Sequence, residues 1–135
     1  MHKASKLFAI IVATVLFFNS VGVAKASTSK PSSIWDWTKG AYSFSGSASY
    51  EDLYTNYRFT NMTTANITVK NTASSGSVTV KLKSVEPWYK PDKTVSTATS
   101  PAGGTCTWSK DGLDSDKQYY IVFIAPCYFS GSISR

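Results

Sequence analysis

The residues with chemistry to offer are eight carboxylates, two cysteines and one histidine. The histidine is His2, inside an N-terminal leader described below, so the exported domain is expected to lack the usual proton shuttle and the commonest metal ligand. Ser-His-Asp and Cys-His catalysis are excluded on inventory, as are zinc sites built on His or several Cys. Gly103-Gly104 is an isolated turn pair and not a phosphate-cradling loop. A carboxylate pair of the kind that cleaves glycosides is left, with Glu51, Asp52, Glu86 and Asp36 as its members. The same residues read as a solvated turn (Glu51-Asp52) and a strand exit (Glu86-Pro87). No catalytic residue is assigned, the domain is read as a non-enzyme, and no cofactor is expected.

Asp111, Asp114 and Asp116 are spaced closely enough to wrap a calcium ion, with Gly112 and Ser115 between them. The other reading is an Asp-rich corner whose side chains cap their own turn. The helix-loop-helix calcium pattern is absent, and no metal is assigned. Cys106 and Cys127 allow one pairing, and an oxidising compartment favours it. That bridge would close a loop of about 22 residues and contribute on the order of 3 kcal/mol. The alternative is two free thiols.

Aromatic side chains carry the binding signal. Beyond the leader the chain has four Trp, eight Tyr and four Phe. Phe44, Phe59, Trp108, Tyr119, Phe123 and Phe129 suit a core. Trp35 and Trp37 flank Asp36 near the start of the domain, and Trp88-Tyr89 lies in Glu86-Pro-Trp-Tyr-Lys-Pro91, a loop stiffened by two prolines. Rigidly held Trp and Tyr give contact area at low entropic cost. Trp35, Trp37, Trp88 and Tyr89 are therefore the candidate ligand-binding residues. The alternative has Trp35 and Trp37 plugging the open end of the fold, with Trp88 folded over its edge.

These side chains need a frame, and the frame starts with an address. Lys3 and Lys6 head an uncharged run from Leu7 to Phe18, and Ala24-Lys25-Ala26 supplies a small-x-small cleavage motif. The run is twelve residues, short of the ~20 that span a bilayer. Residues 1–26 are read as a signal peptide, residues 27–33 as a flexible tether, and residues 34–135 as one domain. Secretion is expected, with no integral membrane segment after cleavage. Removing three leader lysines leaves eleven Lys and Arg against eight carboxylates, a net +3 without like-charge blocks. The electrostatic footprint of a nucleic-acid partner is missing.

Period-two patterning predicts an all-β domain of about seven to eight strands. Tyr42, Phe44 and Ala48 alternate with serines; Leu53 to Phe59, Ile67-Val69 and Val78 to Leu82 alternate likewise. A strand is also expected near Thr94 to Thr99, and others at Cys106-Trp108 and at Phe129 to Ile133. Tyr119 to Ala125 is apolar on both faces and reads as a central, doubly covered strand. Asn71 to Gly76, Ser100 to Gly104 and Asp111 to Asp116 are turn clusters. No internal repeat is evident. Asn61-Met-Thr63 and Asn66-Ile-Thr68 match the N-glycosylation sequon, which has meaning only in a eukaryotic secretory pathway.

Leu113 to Ala125 resembles the late-strand pattern of fibronectin type III and other immunoglobulin-like sandwiches. There a Leu starts a corner, and a Tyr six residues on opens the next strand and bonds back to the corner backbone. The resemblance covers about thirty residues and implies architecture only: a small immunoglobulin-like antiparallel β-sandwich, with Leu113 and Tyr119 as its corner. The functional expectation is a secreted binding domain for an extracellular polymer or protein. The alternatives are a bacteriocin-like or toxin-like effector and a structural matrix or coat component. Oligomeric state is left open.

Overall fold

A computed structural model of the chain describes residues 22–135. The basic head and apolar run of the expected leader lie outside the described residues. The fold is all-β and sandwich-like. Its strands are β1 (Ala24–Lys25), β2 (Ser33–Ile34), β3 (Tyr42–Ala48), β4 (Leu53–Tyr54), β5 (Tyr57–Arg58), β6 (Thr64–Asn71), β7 (Val78–Ser84), β8 (Lys93–Ser100), β9 (Thr105–Asp111), β10 (Tyr119–Phe123) and β11 (Cys127–Ser134). One sheet runs β1-β3-β11-β6-β9 and the other β4-β10-β7-β8, while β2 and β5 form a small parallel pair.

Alternation along the strands builds the core between the sheets. On β6, Ala65, Ile67 and Val69 point in while Asn66 and Lys70 point out. Val78, Val80 and Leu82 of β7 meet them from the other sheet. Each fully buried side chain of this size contributes about 1.5–3 kcal/mol. All five residues of β10 are buried, and β10 lies between β4 and β7.

Two Phe-Ser-Gly-Ser segments, Phe44 to Ser47 and Phe129 to Ser132, face each other antiparallel on β3 and β11. Their register sets Phe44 opposite Gly131 and Phe129 opposite Gly46. Each ring therefore lies over the partner strand's glycine, where a Cβ would collide with it. Phe129 stacks on Phe123 of the other sheet, with centroids 3.8 Å apart and planes at 13°. This pairing fills the space between the sheets, and nothing in strand patterning announces it.

Buried polar groups tie the turns. Asn71 Nδ2 donates to Gly76 O (2.9 Å) and Ser100 O (3.0 Å), and its Oδ1 accepts from Ala73 N. The hydroxyl of Ser100 lies 3.2 Å from Val69 O and 3.0 Å from Gly104 O. At the mouth of β10 the Tyr119 hydroxyl accepts from Asp114 N at 2.9 Å and reaches Asp114 O at 3.4 Å, beside the buried Leu113.

Several expectations need correction. The stretch Leu53 to Phe59 is not one strand. Thr55 breaks it by turning its hydroxyl into the ladder, accepting from Ile121 N and donating to Tyr57 O. As a result β4 pairs with β10 and β5 with β2.

Residues 27–33 are not a loose tether. Ser27 bridges Tyr54 in both directions (2.9 and 2.7 Å). Pro31 is buried and its carbonyl accepts from Arg58 Nε at 2.9 Å. Lys30 reaches Asp92 at 3.7 Å. Polar composition hid this, because one proline ring and satisfied carbonyls are enough to hold such a strap.

The proposed leader boundary after Ala26 also falls just past a paired strand, since Ala24 and Lys25 form β1 against β3.

The expected disulfide is absent, and both thiols are free. Cys106 sits opposite Val69, Val69 opposite Gly131, and Cys127 lies four residues further along β11. Two strand spacings of about 4.8 Å and four residues of about 3.3 Å separate them, far beyond the ~7 Å between Cα atoms that a disulfide spans. Even cysteine count in an exported chain suggests pairing, but register decides it. Cys127 is buried, and desolvation, helped by the Asp52 charge, pushes its thiol up to about 11. A thiol reagent is expected to label Cys106 in the native protein and Cys127 only on unfolding. Adding reductant should leave the melting temperature unchanged, and a drop of several degrees would instead reveal a bridge.

Candidate functional site

The four expected binding aromatics share one end of the sandwich, because Phe59 bridges Tyr119 and Tyr119 pairs with Ser84. Two of them are structural. Trp35 is buried, donates from Nε1 to Gly40 O (3.0 Å), and packs edge-on against Tyr42 and Tyr57. Trp37 is half-buried, donates to Thr60 O (2.7 Å) and packs against Phe59. A thin core needs this volume, so the pair packs at the end of the fold, with Trp35 buried and Trp37 keeping only part of its ring exposed. Asp36 between them caps the following turn, accepting from Thr38 N (3.0 Å) and Thr38 Oγ1 (2.7 Å). These bonds hold its carboxyl below the usual range.

Trp88 and Tyr89 behave oppositely. Trp88 is 95 % exposed and Tyr89 65 %, and their rings meet edge-on at 5.8 Å. They occupy the tip of the loop between β7 and β8. The base of that loop is clamped on both sides. Asp92 accepts from Glu86 N at 3.0 Å and from the Tyr120 hydroxyl at 2.5 Å, and Lys30 of the N-terminal strap approaches it. Glu86 accepts from the Ser84 hydroxyl (2.8 Å) and from Lys117 Nζ (3.1 Å). Between these anchors Lys90 N donates to Pro87 O at 2.9 Å and closes the tip. The aromatic pair is thus displayed by a loop whose ends cannot separate freely.

The clamp depends on charge. Burial works against the Asp92 carboxylate, but the Glu86 N–H, the Tyr120 hydroxyl and Lys30 outweigh it, and its pKa lies below the usual 3.8. Ser84 and Lys117 lower Glu86 from 4.5. Desolvation and the Asp92 carboxylate push the Tyr120 hydroxyl well up. A depressed folded pKa contributes stability above the unfolded value and loses it as pH falls through the folded one. The loop is therefore expected to stay closed at neutral pH and to loosen only below about pH 4. Trp88 fluorescence anisotropy across pH 7 to 2 checks this, and loosening already at pH 6 would contradict it.

Beside the loop base lies an open recess of about 410 Å³ lined by Lys93, Lys110, Lys117, Ser84, Asp114 and Tyr119, among others. Among the described residues Lys93 and Lys110 have no ion-pair partner, while Lys117 holds Glu86. The sequence reading missed these lysines because three distant segments (residues 93, 110 and 117) converge only in the fold. It also missed Tyr50, 95 % exposed at the opposite end in the turn after β3. Its neighbours Glu51 and Asp52 signalled a turn, and that was the only cue.

The remaining candidates do not assemble. Asp52 accepts from Ala125 N (2.8 Å) at the end of the sandwich away from Glu86, and Glu51 is exposed. Asp111 accepts from Thr64 (3.0 Å), and Asp114 Oδ1 accepts from Asp116 N (2.9 Å). Among the described residues no three His, Cys, Asp or Glu side chains form a metal-holding group. Asn61 adopts a left-handed φ of 57°, and Asn66 faces outward with its Oδ1 accepting from Ser109 (2.6 Å). No helix among the described residues is long and apolar enough to cross a membrane.

Comparison with known proteins finds no match among family models, curated proteins or solved structures.

Proposed function

We propose that this chain is a small secreted, non-catalytic binding domain. It holds an extracellular or cell-surface ligand against Trp88 and Tyr89. The observation that carries the reading is a tryptophan 95 % exposed at the tip of a loop tied down at both ends. An unengaged Trp on a floppy loop would gain little; on a held loop the ordering cost is already met before the ligand arrives. Sugar rings stack on such faces, and Lys90 at the tip with Lys93 beside it favours a polymer that also carries acidic groups.

An immunoglobulin-like architecture is part of this reading. Its support is the pairing of β6 with β9 and of β7 with β10, the β7–β8 hairpin, and the Tyr119 hydroxyl bonded to the Asp114 backbone. The last strand departs from that plan, since β11 lies between β3 and β6 and not beside β10.

The test is retention of the protein on insoluble polysaccharides, acidic and neutral, on cell-wall material and on immobilised extracellular proteins. Anionic vesicles form a separate arm, because an effector acting at a membrane would use the same exposed pair. Retention that Trp88→Ala with Tyr89→Ala abolishes sustains the reading. Retention identical in wild type and double variant removes it, and capture by vesicles alone transfers the loop to the effector reading.

A further inference from the structure

We propose that the chain is processed after Ser20-Val21-Gly22 and not after Ala24-Lys25-Ala26, so that the exported domain keeps β1 as an edge strand. The proposal rests on the reading of the N-terminus as a cleaved leader.

Three successive segments offer the small-x-small pattern that a signal peptidase reads, Ser20-Val21-Gly22, Gly22-Val23-Ala24 and Ala24-Lys25-Ala26. The sequence pattern does not choose between them. The fold does, because it gives Ala24, Lys25 and Ala26 another reason for their pattern. Ala24 pairs with Phe44 and Lys25 with Ser45 in a parallel ladder. Ala26 N donates to Ser45 O at 2.8 Å, and Lys25 O accepts from Asn56 Nδ2 at 2.7 Å. Ala24 and Ala26 pack against the core while Lys25 points to solvent. Small-Lys-small is therefore the in-out alternation of a strand. Ala26 further lines an open recess with Gly46, Leu53 and Phe129. By contrast, Gly22 is exposed and Val23 is 62 % exposed, and neither takes part in a strand.

The cuts have different consequences, and one after Ala24 already takes away the residue paired with Phe44. Cutting after Ala26 strips β1 from β3, leaves Ser45 O and the Asn56 amide without these partners, and opens the edge where the two sheets meet. That edge is closed on the other side by Ser27, which bridges Tyr54 of β4. An unpaired, exposed sheet edge is a liability that folded proteins generally cover. Cutting after Gly22 leaves every strand among the described residues in place, and the new ammonium falls on the exposed Val23.

The decisive experiment is intact mass and N-terminal sequencing of the protein released by cells expressing the full chain. A mature protein starting at Val23 is expected. A start at Lys25 or at Ser27 overturns the proposal and leaves the leader reading standing. A cell-retained chain of full mass overturns both, so the two failures are told apart. A second measurement does not depend on export. Proteins made directly as residues 23–135 and 27–135 should differ in melting temperature, the shorter melting lower by roughly 4 °C or more. Equal melting temperatures would mean that β1 adds nothing to the domain and would overturn the proposal.

Discussion

Gly131→Ala is expected to lower the melting temperature by more than about 10 °C, the largest stability effect of a one-carbon change in this domain. A Cβ at Gly131 would fall inside contact distance of the Thr68 backbone oxygen and 2.9 Å from the Phe44 ring. Thr68 lies in β6, hydrogen-bonded to β11 along the ladder that contains Gly131. A carbonyl fixed in a ladder cannot rotate aside as a side chain can, so β6 and β11 must part or twist. Ordinary overpacking costs about 1–3 kcal/mol, and displacing a central ladder adds to that. Gly46→Ala is the matched comparison. Its Cβ would meet only the Phe129 ring (2.8 Å) and Leu53 (2.9 Å), both side chains able to shift. It should cost less than half as much. Thermal melts of the two variants settle the matter; equal losses would show that backbone approach is not what requires glycine at 131.

Trp88→Ala combined with Tyr89→Ala is expected to weaken binding of the ligand proposed above about 1000-fold, at about 2 kcal/mol for each aromatic anchor. The melting temperature should hardly move, since both side chains are exposed and surface changes stay within about 0.5 kcal/mol. That split separates a display role from a structural one. Trp37→Ala makes the contrast: it removes a ring packed on Phe59 and a hydrogen bond to Thr60 O, and it should lower stability while leaving the Trp88 loop intact. Isothermal titration against the retained ligand, paired with melts, reads both quantities. Unchanged affinity in the loop variant together with lost affinity in Trp37→Ala would place the ligand surface elsewhere.

Strand content was legible in the sequence because period-two alternation reports which face is buried, and β6 and β7 follow it residue by residue, while the unbroken apolar run of β10 matches its burial on both faces. The corner at Leu113 and Tyr119 was legible as well, since the hydroxyl and the backbone it meets lie five residues apart. So was the stiffness of the Trp88 loop, from Pro87 and Pro91. The partition of the tryptophans was not. Trp35 and Trp37 flank Asp36 and Trp88 stands between Pro87 and Tyr89, and only packing determined that the first two fill the open end while the third stays in solvent. Nor was the clamp, because Asp92, Tyr120 and Lys30 meet across three separate segments.

Local pattern by itself determined that this chain makes half-buried strands joined by tight turns, for alternation and turn chemistry act between neighbours. Register between distant strands decided the rest. It keeps Cys106 and Cys127 apart, lays Phe44 and Phe129 over the glycines of each other's strands, and seats Ala24 and Lys25 in an edge strand. Such outcomes depend on which strands lie side by side and in what offset, a global choice that no short stretch of residues encodes.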